Sequence, residues 1–385
     1  MLHLCQDLQA LGYQVDVLAP HAPGAARRED LEGVRVERFR YSYPEASQTV
    51  CYQGGALINL RKRPVERLKL PALVAAEWAA TQIRLRRTRY DLMHSHWVLP
   101  QGFVGMLASA LSRVPHVITL HGGDLFGLRG PVLARLKRMS LMSADAVTVN
   151  SSFTEARVRE LAPRLEKVER IPMGVDDSRL GEEELALAAR VRAEQRRGAG
   201  PLLVFAGRLI DEKGPFDTVE ALAVLRRDFP DARLIVMGEG QDRAALEARV
   251  ARLNLGEHVS LLGWVPTGQV RGYLRSADVF VGPSKTAPSG WVEAQGLTFL
   301  EAMAAGVPVV ATRSGGIVDT VKDEETGLLV DESSPQQIAR AVTRLLREPR
   351  LADELVAGGH RILEGGFSRA HSAQGFADLF ERCMR

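Results

Sequence analysis

Only three cysteines occur in the 385 residues, Cys5, Cys51 and Cys383. They lie far apart and match no metal-ligand spacing, which argues against a disulfide-stapled fold or a zinc module and favours free thiols in a reducing compartment. No run of about 18 apolar residues is present, so no membrane-spanning helix is expected. The opening MLHLCQDLQALGYQV has no basic leader, and Gln6, Asp7 and Gln9 interrupt the apolar stretch a signal peptide would need. The chain therefore reads as cytoplasmic. His94 and His96 stand two residues apart on one face of a strand, but no third ligand accompanies them at a recognisable spacing, so no metal site is expected.

With 385 residues and 45% hydrophobic content, the chain is long enough to bury two cores. Its net charge of +3 conceals an asymmetry: residues 1 to 172 hold 24 Lys/Arg against 16 Asp/Glu, and the remainder holds 26 against 31. Much of the positive charge falls in RKRPVERLK (61 to 69), RLRRTR (84 to 89) and ARLKR (134 to 138), interleaved with Leu and Val. Such a pattern is either a set of solvated helix faces or a patch that rests on anionic lipid or an anionic acceptor. A nucleic-acid partner is not expected.

Short β-branched runs alternate with longer helical stretches, the pattern of parallel sheets covered on both faces. In the first half the strands are YQVDVLA, VRVERFR, DLMHSH, HVITLHG, AVTVNS and VERIPMG. In the second half they are LLVFAGR, RLIVMGEG, VSLLGWV, VFVGPS, VPVVATR and GLLVD. Between the two sets, residues 176 to 201 run from acidic to basic and end in Gly198, Gly200 and Pro201, which marks a domain boundary. The fold class is α/β, with two facing Rossmann-like doubly wound domains and an interdomain cleft at the carboxyl ends of the strands. The N-terminal domain is assigned to 1–175 and the C-terminal one to 176–365. Leu4, Leu8 and Leu11 form a helical stripe before the first strand, so the strand and glycine-rich turn that normally open such a domain are missing.

Four stretches carry chemistry. In VFAGRLIDEKGPF, Arg208 and Lys213 sit on a turn beside a helix beginning near Pro215, where amide donors and the helix dipole favour a diphosphate. Gly238 and Gly240 follow a strand, yet Arg243 stands where a dinucleotide fingerprint needs a third glycine, so they read as a turn that lets backbone approach a ligand. His121, Gly122 and Asp124 end a strand, and His121 and Asp124 could bond hydroxyls or a phosphate. In VEAQGLTFLEAMAAG, Glu293 falls in a loop, the amides of Gly296, Leu297 and Thr298 start a helix, and Glu301 lies in its second turn among apolar residues. A carboxylate there is costly without hydrogen bonds, and vicinal sugar hydroxyls would supply them.

Taken together, GRLIDEKG, MGEG, LLGWV, VGPS, the Glu293 to Glu301 spacing with EAMAAGVPVVAT, GGIVDTV, TGLLV, HSHWVLPQG, LHGGD and IPMGVD resemble family 4 of the retaining glycosyltransferases, which have the GT-B fold. The resemblance covers about residues 90 to 330. It implies a hexosyl transfer from a nucleoside-diphosphate sugar to a hydroxyl on a glycan, lipid-linked saccharide or lipid, with retention of configuration. Arg208 and Lys213 would then hold the donor diphosphate, Glu301 its ribose, and Glu293 with the amides near Gly296 its sugar. Backbone from Gly263 through Trp264 and Val265 would meet the base, and His121 would act at the sugar and acceptor. No Asp-x-Asp element occurs, so two fixed cations rather than a metal are expected to serve the leaving group, and no cofactor is expected. The resemblance also sends the last helix, in 366–385, back to the first domain. Asp319 stands where the family usually has Glu, and Met173 where Asn is common. The missing first strand removes a turn that meets donor phosphates and acceptor. A nucleotide-sugar epimerase and a catalytically crippled binding protein are the alternatives. Peripheral contact of the basic first half with the inner face of a membrane accompanies the main reading.

Overall fold

A computed structural model of the chain describes residues 1–52, 55–195, 198 and 200–385. Arg196, Arg197 and Ala199 of the expected 176–201 linker lie outside the described residues, as does the side chain of Arg61. The chain divides into two compact units. The first comprises 1–150, 154–171 and 372–385, and the second comprises 151–153 and 172–371.

The second unit contains β8 (Leu202–Ala206), β9 (Arg233–Met237), β10 (Val259–Gly263), β11 (Val279–Gly282), β12 (Val309–Thr312) and β13 (Leu328–Val330). They form one six-stranded sheet in the order β10-β9-β8-β11-β12-β13, every pair parallel. Alternate residues feed alternate faces: Leu203, Phe205, Leu234, Val236, Val279 and Val281 join one core, while Leu202, Val204, Ile235, Met237 and Phe280 join the other. That is why these strands read as continuous apolar runs. Helices cover both faces, among them Pro335–Arg347, which buries Ile338, Ala339, Val342 and Leu345. The strand order reverses between β8 and β11, so the loops leaving these two neighbours diverge and open a crevice at their carboxyl ends.

The first unit contains β1 (Asp16–Pro20), β2 (Arg28–Leu31), β3 (Val34–Phe39), β4 (Met93–His96), β5 (His116–Leu120), β6 (Ala146–Val149) and β7 (Val168–Arg170). Two sheets result, β1-β3-β2 and the parallel β4-β5-β6-β7, and among the described residues no strand joins β1 to β4. β5 and β6 are buried along their whole length. β2 is an addition that the sequence pattern did not reveal. Three of its four residues are charged and it is largely exposed, and it exists because it pairs antiparallel with β3 at the sheet edge.

The last helix, Arg369–Met384, belongs to the first unit from Ser372 onward. There Phe380 packs against Tyr13, with ring centroids 6.2 Å apart, and against His94 at 5.2 Å. Tyr13 also donates its hydroxyl hydrogen to the Ala377 carbonyl at 3.2 Å. One aromatic side chain thus touches the approach to β1 and the strand β4.

One member of the basic cluster at 134 to 138, Lys137, needs correction. Lys137 is only 3% exposed and donates to the Leu125 carbonyl at 2.8 Å, and burial lowers its ammonium to about 8. The Arg138 guanidinium caps the Leu161 carbonyl at 2.8 Å. Lys137 is thus withdrawn from the surface, while Arg135 and Arg138 remain exposed. No described helix is long and apolar enough to cross a membrane.

Candidate functional site

β8 ends at Ala206 and its loop carries Arg208 and a single turn, Asp211–Lys213, before the helix Pro215–Leu225. Gly214 joins that turn to the helix with φ +74°, and a Cβ there would stand 2.1 Å from the Pro283 carbonyl oxygen. Only glycine allows the loops after β8 and β11 to approach so closely. Lys285 reinforces this approach, reaching Asp211 at 2.8 Å and Asp217 at 3.2 Å. The positions of Arg208 and Lys213 at the start of a buried helix therefore follow from backbone packing, not from their own charges.

Lys213 donates to Glu293 in a short ion pair and lies over the Trp291 ring, 5.5 Å from its centroid. The two residues expected to address phosphate and sugar are therefore paired with each other. Arg208 is exposed. The helix Leu297–Ala304 begins after Gly296, and the Phe299 amide turns back to the Gly296 carbonyl at 3.1 Å. Ahead of it, the amides of Leu297 and Thr298 find no backbone acceptor among the described residues. They form a second set of donors at a helix N-terminus beside the Lys213–Glu293 pair.

Glu301, on the same helix, is the most perturbed carboxyl of this site. Burial raises it from the ordinary 4.5 to about 7, opposed only in part by the Arg271 charge. Arg271 is itself engaged with Asp176 at 3.1 Å and lies 3.6 Å from Glu184. Among the described residues no side chain or backbone amide donates a hydrogen bond to the Glu301 carboxyl. A half-hidden acceptor without a donor matches a ligand that brings hydroxyls.

The other expected donor-side positions lie on neighbouring strand ends. Gly238 and Gly240 follow β9, and a Cβ on either would meet the backbone of the β8 loop, at Gly207 and Leu209. Gly263 ends β10, and Trp264 beyond it is 72% exposed, while Val265 packs against the second unit's core. All of these positions, with Arg208, Lys213, Glu293 and Glu301, occupy the carboxyl-end side of one parallel sheet.

Two residues that the motifs did not single out shape the same region. Gln295, between the two glutamates, accepts from the Met173 amide at 3.0 Å and donates to the Met173 carbonyl at 2.7 Å. Both bonds are to the Met173 backbone and do not depend on its side chain. Asp319 accepts from the Ser152 amide and from its hydroxyl, the latter at 2.7 Å, so the shorter acid still finds donors. Neither partnership follows a local spacing, since 122 and 167 residues separate the partners.

In the first unit, His121 leaves β5 and hydrogen-bonds His96, with Nε2 and Nδ1 2.9 Å apart. His94 bonds the Thr119 hydroxyl at 2.6 Å and packs on Phe376 at 5.3 Å. Burial lowers His94 to about 3, and His96 and His121 are also lowered by burial, so all three rings are neutral at pH 7. Gly122 turns the chain with φ +88°. Asp124, expected on the acceptor side, is corrected here: it is fully buried and accepts from the amides of Val98 at 3.0 Å and His121 at 3.2 Å. Its oxygens orient the loop that carries His121 and are not offered to a ligand. Among the described residues no group of three His, Cys, Asp or Glu side chains is arranged to hold a metal ion.

Comparison with known proteins fits this geometry. The sequence profile of the Glycosyl transferases group 1 matches residues 190–361, and that of Glycosyltransferase Family 4 matches 1–179. A GDP-mannose-dependent alpha-(1-6)-phosphatidylinositol monomannoside mannosyltransferase of Mycolicibacterium smegmatis is 35% identical over 279 residues, 71% of this chain and 72% of that protein. The chain belongs to family 4 of the glycosyltransferases. A 2-deoxystreptamine glucosyltransferase of Streptomyces kanamyceticus is 29% identical over 100% of this chain and 98% of its own. Among solved structures, sucrose-phosphate synthase from Thermosynechococcus elongatus superposes with a TM-score of 0.78 at 26% identity, covering 98% of this chain and 91% of that one. This family 4 chain is accordingly a nucleotide-sugar-dependent glycosyltransferase with two Rossmann-like units of the GT-B type. None of these relatives is an epimerase, and that alternative has no support.

Proposed function

We propose that the enzyme moves a hexosyl unit from a nucleoside-diphosphate sugar to a hydroxyl of a glycan, lipid-linked saccharide or lipid, with retention of configuration. The observation that carries the donor assignment is the single sheet edge that holds two cations, two helix N-termini and a carboxyl that has no donor among the described residues. Arg208, Lys213 and the helix amides take the negative charge that grows on the leaving diphosphate. Glu301 accepts from the ribose hydroxyls. Gly238 and Gly240 let backbone approach, and the strand end at Gly263 to Val265 meets the base. Glu293, released from Lys213 as phosphate arrives, addresses the sugar.

In the proposed step the bond from the anomeric carbon to the diphosphate oxygen breaks, and a bond from the same carbon to the acceptor oxygen forms on the same face. The acceptor proton passes to the leaving phosphate oxygen. No side chain acts as nucleophile, and no divalent metal is required. His121, oriented by His96 and by Asp124, is the first unit's group for hydroxyl recognition. The basic surface of that unit is proposed to meet an anionic membrane at its cytoplasmic face.

Melting curves with UDP, GDP and ADP and with their sugars test the reading. The cognate diphosphate stabilises by about 2.7 kcal/mol at a hundred times its Kd. A melting point unmoved by every nucleotide would refute the donor site. With the cognate sugar and no acceptor, slow hydrolysis is expected, and no new nucleotide sugar.

A further inference from the structure

The surface from Lys62 to Arg89 takes no part in the donor site, and its charges are sorted in a way that solvation does not explain. This stretch holds two carboxylates, Glu66 and Glu77, and both are turned inward, 4% and 7% exposed. Glu66 is occupied by Thr49 at 2.8 Å and Lys69 at 3.1 Å. Lys62, Arg63 and Arg67 remain exposed around the turn Pro64–Lys69, and Arg86, Arg87 and Arg89 are exposed at the end of the helix Leu70–Arg87 and just beyond. A merely solvated charged face would interleave acids with bases. Here only the bases face outward.

Large apolar side chains stand among these cations. Leu68 is 80% exposed and Val65 is 61% exposed on the turn, and Trp78 and Ile83 are 39% and 49% exposed on the helix. Water alone disfavours such exposure, and an acidic protein surface would satisfy the cations without using the Val65 and Leu68 tips. An anionic bilayer satisfies both: apolar tips enter the headgroup boundary while Lys and Arg reach lipid phosphates from their aliphatic stems.

We propose that this surface docks the enzyme on an anionic lipid bilayer, with Val65 and Leu68 inserted and Lys62, Arg63 and Arg67 on the phosphates. The assignment rests on the peripheral-membrane reading above and names the segment responsible. Docking would hold a lipid-linked acceptor and the enzyme in the same plane.

Sedimentation of the full chain with vesicles tests it, using phosphatidylcholine alone and phosphatidylcholine with phosphatidylglycerol in equal parts. The wild type is expected to pellet with the anionic vesicles only, and less so as salt rises. Arg63→Glu with Arg67→Glu should cut partitioning by about 100-fold, and Val65→Ser with Leu68→Ser by about tenfold. Arg164→Glu, on an exposed site elsewhere in the first unit, should leave it unchanged. Both double variants should retain the nucleotide-induced melting shift, which shows that they fold. If wild type ignores anionic vesicles, the peripheral reading itself fails. If wild type binds and both double variants bind equally well, that reading stands and this surface is the wrong one. Equal binding to neutral vesicles would refute the charge-directed docking.

Discussion

Replacing Glu301 with Gln separates the cost of this carboxylate from its use. Burial lifts the group from 4.5 to about 7, so ionising it in the folded protein costs roughly 3 kcal/mol more than in the unfolded chain, at 1.36 kcal/mol per unit. Because the folded value is raised, the stability contributed by the neutral carboxyl is fully present below about pH 4.5 and is lost as pH rises through 7. Without ligand, Glu301→Gln and wild type should therefore unfold alike at pH 4. At pH 8.5 the variant should be more stable by up to about 3 kcal/mol, read as the difference in urea midpoints. Binding runs the other way. The ionised carboxylate is the better acceptor for ribose hydroxyls, so wild-type affinity for the cognate diphosphate should rise between pH 6 and 8. The variant should bind 10- to 100-fold more weakly at pH 8, about 1.5 to 3 kcal/mol for hydrogen bonds to a charged group. A stability difference that does not change with pH would refute the buried-charge argument. Unchanged diphosphate affinity at pH 8 would refute the ribose assignment.

Lys213→Met should weaken a nucleoside diphosphate by about 10- to 100-fold in calorimetry while leaving the monophosphate within about threefold, if the lysine acts, as proposed, on the diphosphate through the phosphate that a monophosphate lacks. Glu293→Ala frees Lys213, so diphosphate binding should be equal or tighter while turnover falls by at least about 100-fold; parallel losses in both would sink the division of roles. Chelation with EDTA should leave initial rates within about twofold, and a larger loss restored by magnesium would overturn the metal-free account. Gly214→Ala should destabilise the protein by about 1 to 3 kcal/mol in chemical denaturation, since it places a Cβ at 2.1 Å from the Pro283 oxygen at a positive φ.

The legibility of this chain varied with the range of the interaction. The strands of the second unit, the turn before Pro215 and the helix start at Leu297 were readable because each is set within a few residues: β-branched runs, a glycine at positive φ, a stop at Gly306. β2 was not readable, since REDL has no strand signal of its own and is held by its pairing with β3. Lys137 looked like part of a basic surface because composition does not reveal which way a helix faces. Asp124 looked like a ligand contact for the same reason.

By itself, the sequence determined which residues stand on strand ends and helix starts, and hence which could meet phosphate, ribose and sugar, because backbone conformation and periodicity are local. The tertiary structure decided their states. It paired Lys213 with Glu293 across 80 residues, buried Glu301 without a donor among the described residues, spent Asp124 on two amides, and turned Glu66 and Glu77 inward. Hydrogen bonding and desolvation depend on neighbours brought together from distant parts of the chain, and only the fold specifies those neighbours.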